Sequence, residues 1–173
     1  MTDKVKNILD QQITEELFSA YLYLALAARL ESMNFKGLAN WMTVQAKEEE
    51  DHAMGFFRFL IERGEEPILQ AINAPDISKI KTIADVFAAG LEHEKHITAL
   101  IHNIYVTAKA ENDYPLESFI RWYIDEQVEE ENNANEIIGK IKMIGDSGPA
   151  LYALDAELSA RTYLPSGPYA QKA

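Results

Sequence analysis

The run Lys47-Glu48-Glu49-Glu50-Asp51-His52 is a string of acids closed by a histidine. Positions i and i+3 share one helix face, so Glu49 and His52 can address the same ion. A single Glu-x-x-His is also what a solvated acidic helix face looks like. Its weight comes from what other segments set opposite it. Leu9, Glu16, Tyr23 and Leu30 fall at heptad spacing. So do Met42, Glu49 and Phe56; Phe87, Glu94 and Ile101; and Ile120, Gln127 and Ala134. Each polar residue interrupts an apolar seam about a dozen residues into a long helix, close to its middle. Whichever way each helix runs, the polar residues meet at one level. The sequence predicts a polar layer, with His52 added, across the centre of an apolar bundle.

Burying an unpaired carboxylate costs several kcal/mol. Carboxylates grouped together also raise one another's pKa until some protonate. No Lys or Arg falls on these seams at that level, so divalent cations are the compensation at hand. The competing reading is a purely structural polar layer. Carboxylate oxygens, one imidazole and no sulfur suit iron or manganese. Glu49 can bridge two ions, and a pair about 3.5–4 Å apart can share an oxidant. Glu48, Glu126, Glu129 and Glu130 exceed what two ions need. They read either as a solvated face or as a third, weaker cation site. Tyr23, two turns after Glu16, reads as a core phenol or as a phenol bonded to a ligand carboxylate and able to give up an electron. His93, His96 and His102 read as surface or interface histidines, and Trp41 and Trp122 as packing residues.

The elements that must position these groups are four long helices and one short one. They run from about Lys4 to Ser32, Leu38 to Arg63, Ile83 to Ala110, Tyr114 to Ile144 and Pro149 to Arg161. The first carries a seam of Leu9, Ile13, Ala20, Leu24 and Ala27. Asn34 to Gly37 is a turn. Gly64 and Gly145 are helix stops, Thr82 with Asp85 is a capping pair, and Pro115 sits in a first turn. The segment Glu65–Lys81 holds Pro67 and Pro75 and shows no period. Its roughly 17 residues reach about 56 Å when extended, against about 42 Å for a 28-residue helix. It can therefore cross the whole bundle, which predicts a four-helix bundle with one long crossover. Pro165, Gly167 and Pro168 predict a flexible tail over residues 162–173.

The chain has 173 residues, enough for one domain with a substantial core. The formal net charge of −12 argues against nucleic acid and favours cations as partners. There is no cysteine, hence no disulfide, no thiolate site and no Cys nucleophile. With no apolar signal stretch and no membrane-length run, the expectation is a cytoplasmic protein with no membrane partner.

From Val5 to Arg161 the chain resembles the non-haem ferritins of bacteria and archaea. The segments that carry the resemblance begin with Glu15-Glu16-Leu17-Phe18-Ser19-Ala20-Tyr21-Leu22-Tyr23, Asn40-Trp41-Met42, Glu48 to Ala53 and His93-Glu94-Lys95. They continue through Trp122 to Glu131 and Leu154-Asp155-Ala156-Glu157-Leu158. The resemblance implies an all-α, ferritin-like domain over residues 1–161. It implies a ferroxidase centre with one iron on Glu16, Glu49 and His52 and another on Glu49, Glu94 and Gln127. It further implies a third iron site at Glu48, Glu126, Glu129 and Glu130, with Tyr23 as the family's nearby tyrosine. The implied partners are iron(II), dioxygen or hydrogen peroxide, and about 23 further copies in a hollow shell around a ferric oxyhydroxide mineral. The short fifth helix would line the four-fold axes. A second Glu-x-x-His is missing, since Gln127 and Glu130 stand where a haem-binding bacterioferritin has Glu and His. No haem is therefore expected. The other readings are a redox-inert helical assembly protein and a peroxide-detoxifying mini-ferritin, whose ligands lie between subunits.

Overall fold

The structure is a computed structural model and describes residues 1–170; part of the tail expectation, residues 171–173, lies outside them. It contains five helices: α1 (Asp3–Ser32), α2 (Lys36–Glu62), α3 (Ile83–Ala110), α4 (Tyr114–Ile144) and α5 (Gly148–Leu158). There is no strand among the described residues. The start and stop signals act as expected. Thr82 and Asp85 close a capping box on α3, and Asp113 caps α4 by accepting from the Leu116 N–H. Gly64 and Gly145 both take positive φ, at 76° and 57°, just past α2 and at the end of α4.

The apolar core forms two clusters. One gathers the end of α1 (Leu26, Leu30), the start of α2 (Leu38, Met42), the start of α3 (Val86, Phe87), the end of α4 (Ile137, Ile141), and Leu154 and Leu158 of α5. The other gathers the start of α1 (Val5, Leu9), the end of α2 (Phe56, Leu60), the end of α3 (Ile101, Ile104) and the start of α4 (Leu116, Ile120). Helices α2 and α3 therefore run the same way, so the connection between them travels the length of the bundle, as the sequence predicts. Asp10 anchors that connection by accepting from the Ile68 N–H at 2.9 Å, while Lys6 Nζ holds the other carboxylate oxygen at 2.6 Å. Ile80 enters the core at the far end.

Three expectations change. Leu24 is not on the seam: it is 45% exposed, and Tyr23, Leu26, Ala27 and Leu30 face inward instead. From Ala20, a step of three or seven stays on the face that α1 turns to its neighbours, and a step of four overshoots it. Second, α2 begins at Lys36, because Asn34 alone makes the turn with φ 65°. Gly37 lies inside the helix since α5 crosses there: a Cβ would stand 1.7 Å from the Asp155 carbonyl oxygen. Asp155 in turn accepts from the Leu38 N–H at 2.9 Å, capping α2 from 117 residues away. Third, α5 ends at Leu158, so Arg161 lies outside it. The segment expected to be a flexible tail carries hydrogen bonds in its described part. Tyr163 Oη donates to Asp51 at 2.6 Å, Ser166 N donates to Asp51 at 2.9 Å, and Tyr169 Oη donates to Glu62 at 2.6 Å.

Candidate metal centre

The predicted layer separates the two apolar clusters. Glu16, Glu49, His52, Glu94 and Gln127 are all buried, each at 4% exposure or less. Helix α1 brings Glu16; α2 brings Glu49 and His52; α3 brings Glu94; α4 brings Gln127. Ligand-capable atoms of Glu16, Glu49 and His52 lie within 4.8 Å of one another. His52 Nδ1 is 3.2 Å from Glu49 Oε2. On the other side, Gln127 Nε2 donates to Glu94 Oε2 at 3.1 Å, and the Tyr23 hydroxyl donates to Glu94 Oε1.

Each ligand candidate is braced by a neighbour. Gln12 Nε2 donates to Glu16 Oε1 at 2.9 Å, and Gln45 Nε2 donates to Glu49 Oε1 at 3.0 Å. Both pairs are Gln-x-x-x-Glu on one helix face. That repeated motif was a readable signal for Gln12 and Gln45, which sequence reasoning missed. Tyr123 was missed too: its hydroxyl donates to the His52 carbonyl at 2.9 Å, which fixes the backbone beneath the imidazole. Gly55 makes room for that phenol, since a Cβ there would meet Tyr123 Oη at 2.1 Å. The imidazole is also ringed by aromatics, with Trp122 and Tyr123 edge-on at 5.5 and 6.0 Å.

The electrostatics follow from burial. Loss of water and the nearby Glu49 charge push Glu16 up to about 8. Burial and Glu49 push Glu130 to about 8 as well, and Glu94 well above the carboxylate range. Burial also opposes ionisation of Glu49, yet the His52 hydrogen bond and charge outweigh it and hold Glu49 below its ordinary value. Burial would lower His52, but the bond to Glu49 and the surrounding acids carry it to about 10. Metal-free, the layer is thus one Glu49–His52 ion pair surrounded by protonated carboxyls. Glu16 Oε2 is buried and finds no hydrogen-bond donor among the described residues. In the metal-free layer a proton on Glu16, shared towards Glu49, satisfies this oxygen, and a cation beside Glu49 and His52 would take that proton's place. The donor set fits a hard or borderline divalent ion.

The four surplus acids part company. Glu130 is buried and joins the central layer, where Gln45 Nε2 donates to its Oε2 at 2.7 Å. Glu48 pairs with Arg161. Glu126 is half-buried, with Oε1 3.8 Å from His52 Nε2, and Glu129 is exposed. They do not form a metal-spaced group of three among the described residues. Of the histidines, His96 and His102 are exposed as expected, whereas His93 is half-buried with Nε2 2.7 Å from Ser19 Oγ. Trp41 and Trp122 both pack against the core. No helix among the described residues is long and apolar enough to cross a membrane.

Comparison with known proteins agrees with this architecture. The ferritin-like domain profile matches residues 6–144. A bacterial non-heme ferritin of Staphylococcus aureus is 35% identical over 161 residues, spanning 91% of this chain and 96% of the relative. One from Staphylococcus epidermidis is 36% identical over 155 residues, spanning 90% and 93%. Among solved structures, an open-pore ferritin from the archaeon Archaeoglobus fulgidus superposes with a TM-score of 0.91 at 41% identity, covering 94% of this chain and 98% of that one. A humanized archaeal ferritin gives 0.93 at 42% identity, covering 95% and 99%. With its crossover bundle, its short fifth helix and these relatives, the chain belongs to the ferritin family, on the non-haem side represented by the bacterial proteins it matches.

Proposed function

We propose that this chain is an iron-storage protein with ferroxidase activity, which oxidises iron(II) within its own bundle and stores the product as a ferric oxyhydroxide mineral. The observation that carries the reading is the buried Glu16–Glu49–His52 group, set at mid-height in a ferritin-family bundle. Glu16, Glu49 and His52 hold one iron(II); Glu49, Glu94 and Gln127 hold the second, with Glu49 shared. Both ions are substrate. Each gives up one electron, and dioxygen taking two electrons and two protons becomes hydrogen peroxide. Hydrogen peroxide as the oxidant takes two electrons and two protons to become two waters.

The chain's own groups supply the electrostatics. Iron(II) binding displaces protons from Glu16, Glu94 and His52, so entry of the cations is matched by exit of positive charge. The Tyr23 phenol orients Glu94 and lies close enough to serve as an electron donor. A carboxamide at Gln127, in place of a charged ligand, holds the second ion loosely, which suits iron in transit to a mineral. No haem is invoked in this reading.

Storage requires a shell. An exposed apolar strip of Tyr21, Leu24 and Ile72 runs along α1 and the crossover, which fits burial against another copy. We assign a homo-oligomer of about 24 chains on the strength of the family, and a cytoplasmic location. Stopped-flow absorbance after mixing iron(II) with the aerobic metal-free protein tests the enzyme reading. Glu49→Ala and His52→Ala should slow the fast phase by at least an order of magnitude; parent-like rates in both would refute it. Light scattering showing a monomer or dimer at physiological salt would remove the storage claim alone.

A further inference from the structure

Past the end of α5 the chain turns back along α2 and touches α4. Arg161 pairs with Glu48, and its Nη1 donates to Gln45 Oε1 at 2.9 Å. Tyr163 Oη and Ser166 N both donate to Asp51 Oδ2, at 2.6 and 2.9 Å. Tyr169 Oη donates to Glu62, and its ring joins the second apolar cluster, 6.3 Å from the ring of Phe119. This stretch is a strap fastened to α2 at Glu48, Asp51 and Glu62. What it covers is the outer edge of His52. The imidazole turns Nδ1 towards Glu49, 3.2 Å from Oε2. On the other side of the ring, Nε2 lies 3.4 Å from Ser166 Oγ. Among the described residues that hydroxyl is the one hydrogen-bond partner of Nε2, since Glu126 Oε1 stands at 3.8 Å and Trp122 and Tyr123 offer ring edges. Ser166 Oγ also lies 3.5 Å from Glu126 Oε1.

We propose that Ser166 is a positioning residue for the metal centre: its hydroxyl, delivered by the strap, sets the ring rotation and tautomer of His52 so that Nδ1 is the nitrogen offered to a divalent ion. The proposal rests on the reading of Glu16, Glu49 and His52 as ligands. A hydroxyl accepts one hydrogen bond while donating another, whereas a carboxylate only accepts. The order of contacts is therefore fixed: Nε2–H donates to Ser166 Oγ, and the Ser166 hydroxyl donates to Glu126. With the ring proton held on Nε2, the lone pair of Nδ1 faces the layer. The bond from Tyr123 to the His52 carbonyl fixes the backbone and leaves the ring free to turn. Ser166 itself is pinned by the bond from its N–H to Asp51, the residue just before His52, so its hydroxyl has little freedom to wander. Outer partners of a ligating imidazole change metal affinity by roughly 10–100-fold. Both contacts of the hydroxyl are long for hydrogen bonds, which puts the expected effect at the low end, about tenfold.

The test titrates the full-length, chelator-stripped protein with zinc(II), which binds without redox chemistry, in competition with a chromophoric chelator. The ion followed is the one whose binding is lost in His52→Ala. Ser166→Ala should weaken that ion about tenfold, and Ser166→Thr, which keeps the hydroxyl, should restore the parent affinity. Nitrogen-15 spectra of the zinc-loaded, histidine-labelled protein give a readout that lost packing does not move. The His52 signals, assigned by their absence from His52→Ala, should show Nδ1 on the metal and the proton on Nε2. The Nε2 resonance should move in Ser166→Ala and return in Ser166→Thr. Parent-like affinity in Ser166→Ala would overturn the role of Ser166 and leave the metal reading standing. So would zinc on Nε2 in the parent, or a loss in Ser166→Ala that Ser166→Thr fails to restore. A parent that binds no zinc(II) dependent on His52 would overturn the metal reading and this proposal with it.

Discussion

Removing metal should invert the usual pH dependence of stability. Glu16 and Glu130 stand at about 8 in the folded, metal-free chain against an ordinary 4.5. Between those values the native state keeps two protons that the unfolded chain has lost, so stability falls as pH rises. Each retained proton is worth about 1.4 kcal/mol per pH unit. The two carboxyls together therefore cost on the order of 3 kcal/mol per unit, or ~5 kcal/mol from pH 5.5 to 7.5. Glu94, also raised, acts in the same sense. His52, raised from 6.5 to about 10, adds to the loss above pH 6.5. Glu49, lowered, contributes stability above its ordinary range that is lost only as pH falls into the acid region. The expected loss is comparable to the entire stability of a typical domain. Binding of zinc(II) ionises Glu16 and Glu94 in the native state and deprotonates His52, and so flattens the slope above pH 5.5 to the share that Glu130 contributes. Denaturant titrations at fixed protein concentration, with and without zinc(II), at pH 5.5, 6.5 and 7.5 measure the difference. Equal slopes in the two series would refute the picture of a proton-loaded layer emptied by cations.

Other perturbations have equally defined outcomes. Gly55→Ala drives a Cβ into Tyr123 Oη and should cost about 1–3 kcal/mol in denaturant unfolding. Tyr123→Phe in the same chain should recover part of that loss, and additive effects would contradict the clash. Tyr23→Phe removes a donor to Glu94 and should slow iron(II) oxidation while leaving the zinc(II) count as in the parent. A lost ion in that variant would mean the phenol holds the site together rather than tuning it. Asp113→Ala removes both the α4 cap and the two-pronged contact with Arg63, at 2.8 and 3.1 Å, and should cost about 2–3 kcal/mol. A melting temperature unchanged from the parent would show that solvent replaces both.

The central layer was legible because four polar residues interrupt four heptad seams, and periodicity alone fixes which face they occupy. The crossover was legible from length: Glu65–Lys81 is too long and too irregular for a tight turn. Gln12 and Gln45 were harder to read, since an amide side chain is equally at home in water and at a carboxylate. That Glu130 is buried while Glu129 is exposed was not legible, because the two sit side by side in the sequence and only the packing of α4 against α2 decides which of them turns inward. Arg161 had no local signal at all. Its partners lie 113 and 116 residues away, and an extended segment has no period to betray where it rests.

Asp155 and Arg161 leave a ribosome more than a hundred residues after the part of α2 on which they act. Until they emerge, α2 lacks its cap at Leu38, and Glu48 lacks its partner. A nascent chain could thus gather its four long helices and still be unfinished at the very face that addresses the metal. Emergence of Asp155 and Arg161, rather than collapse of the four long helices, would be the moment at which the site takes its final form.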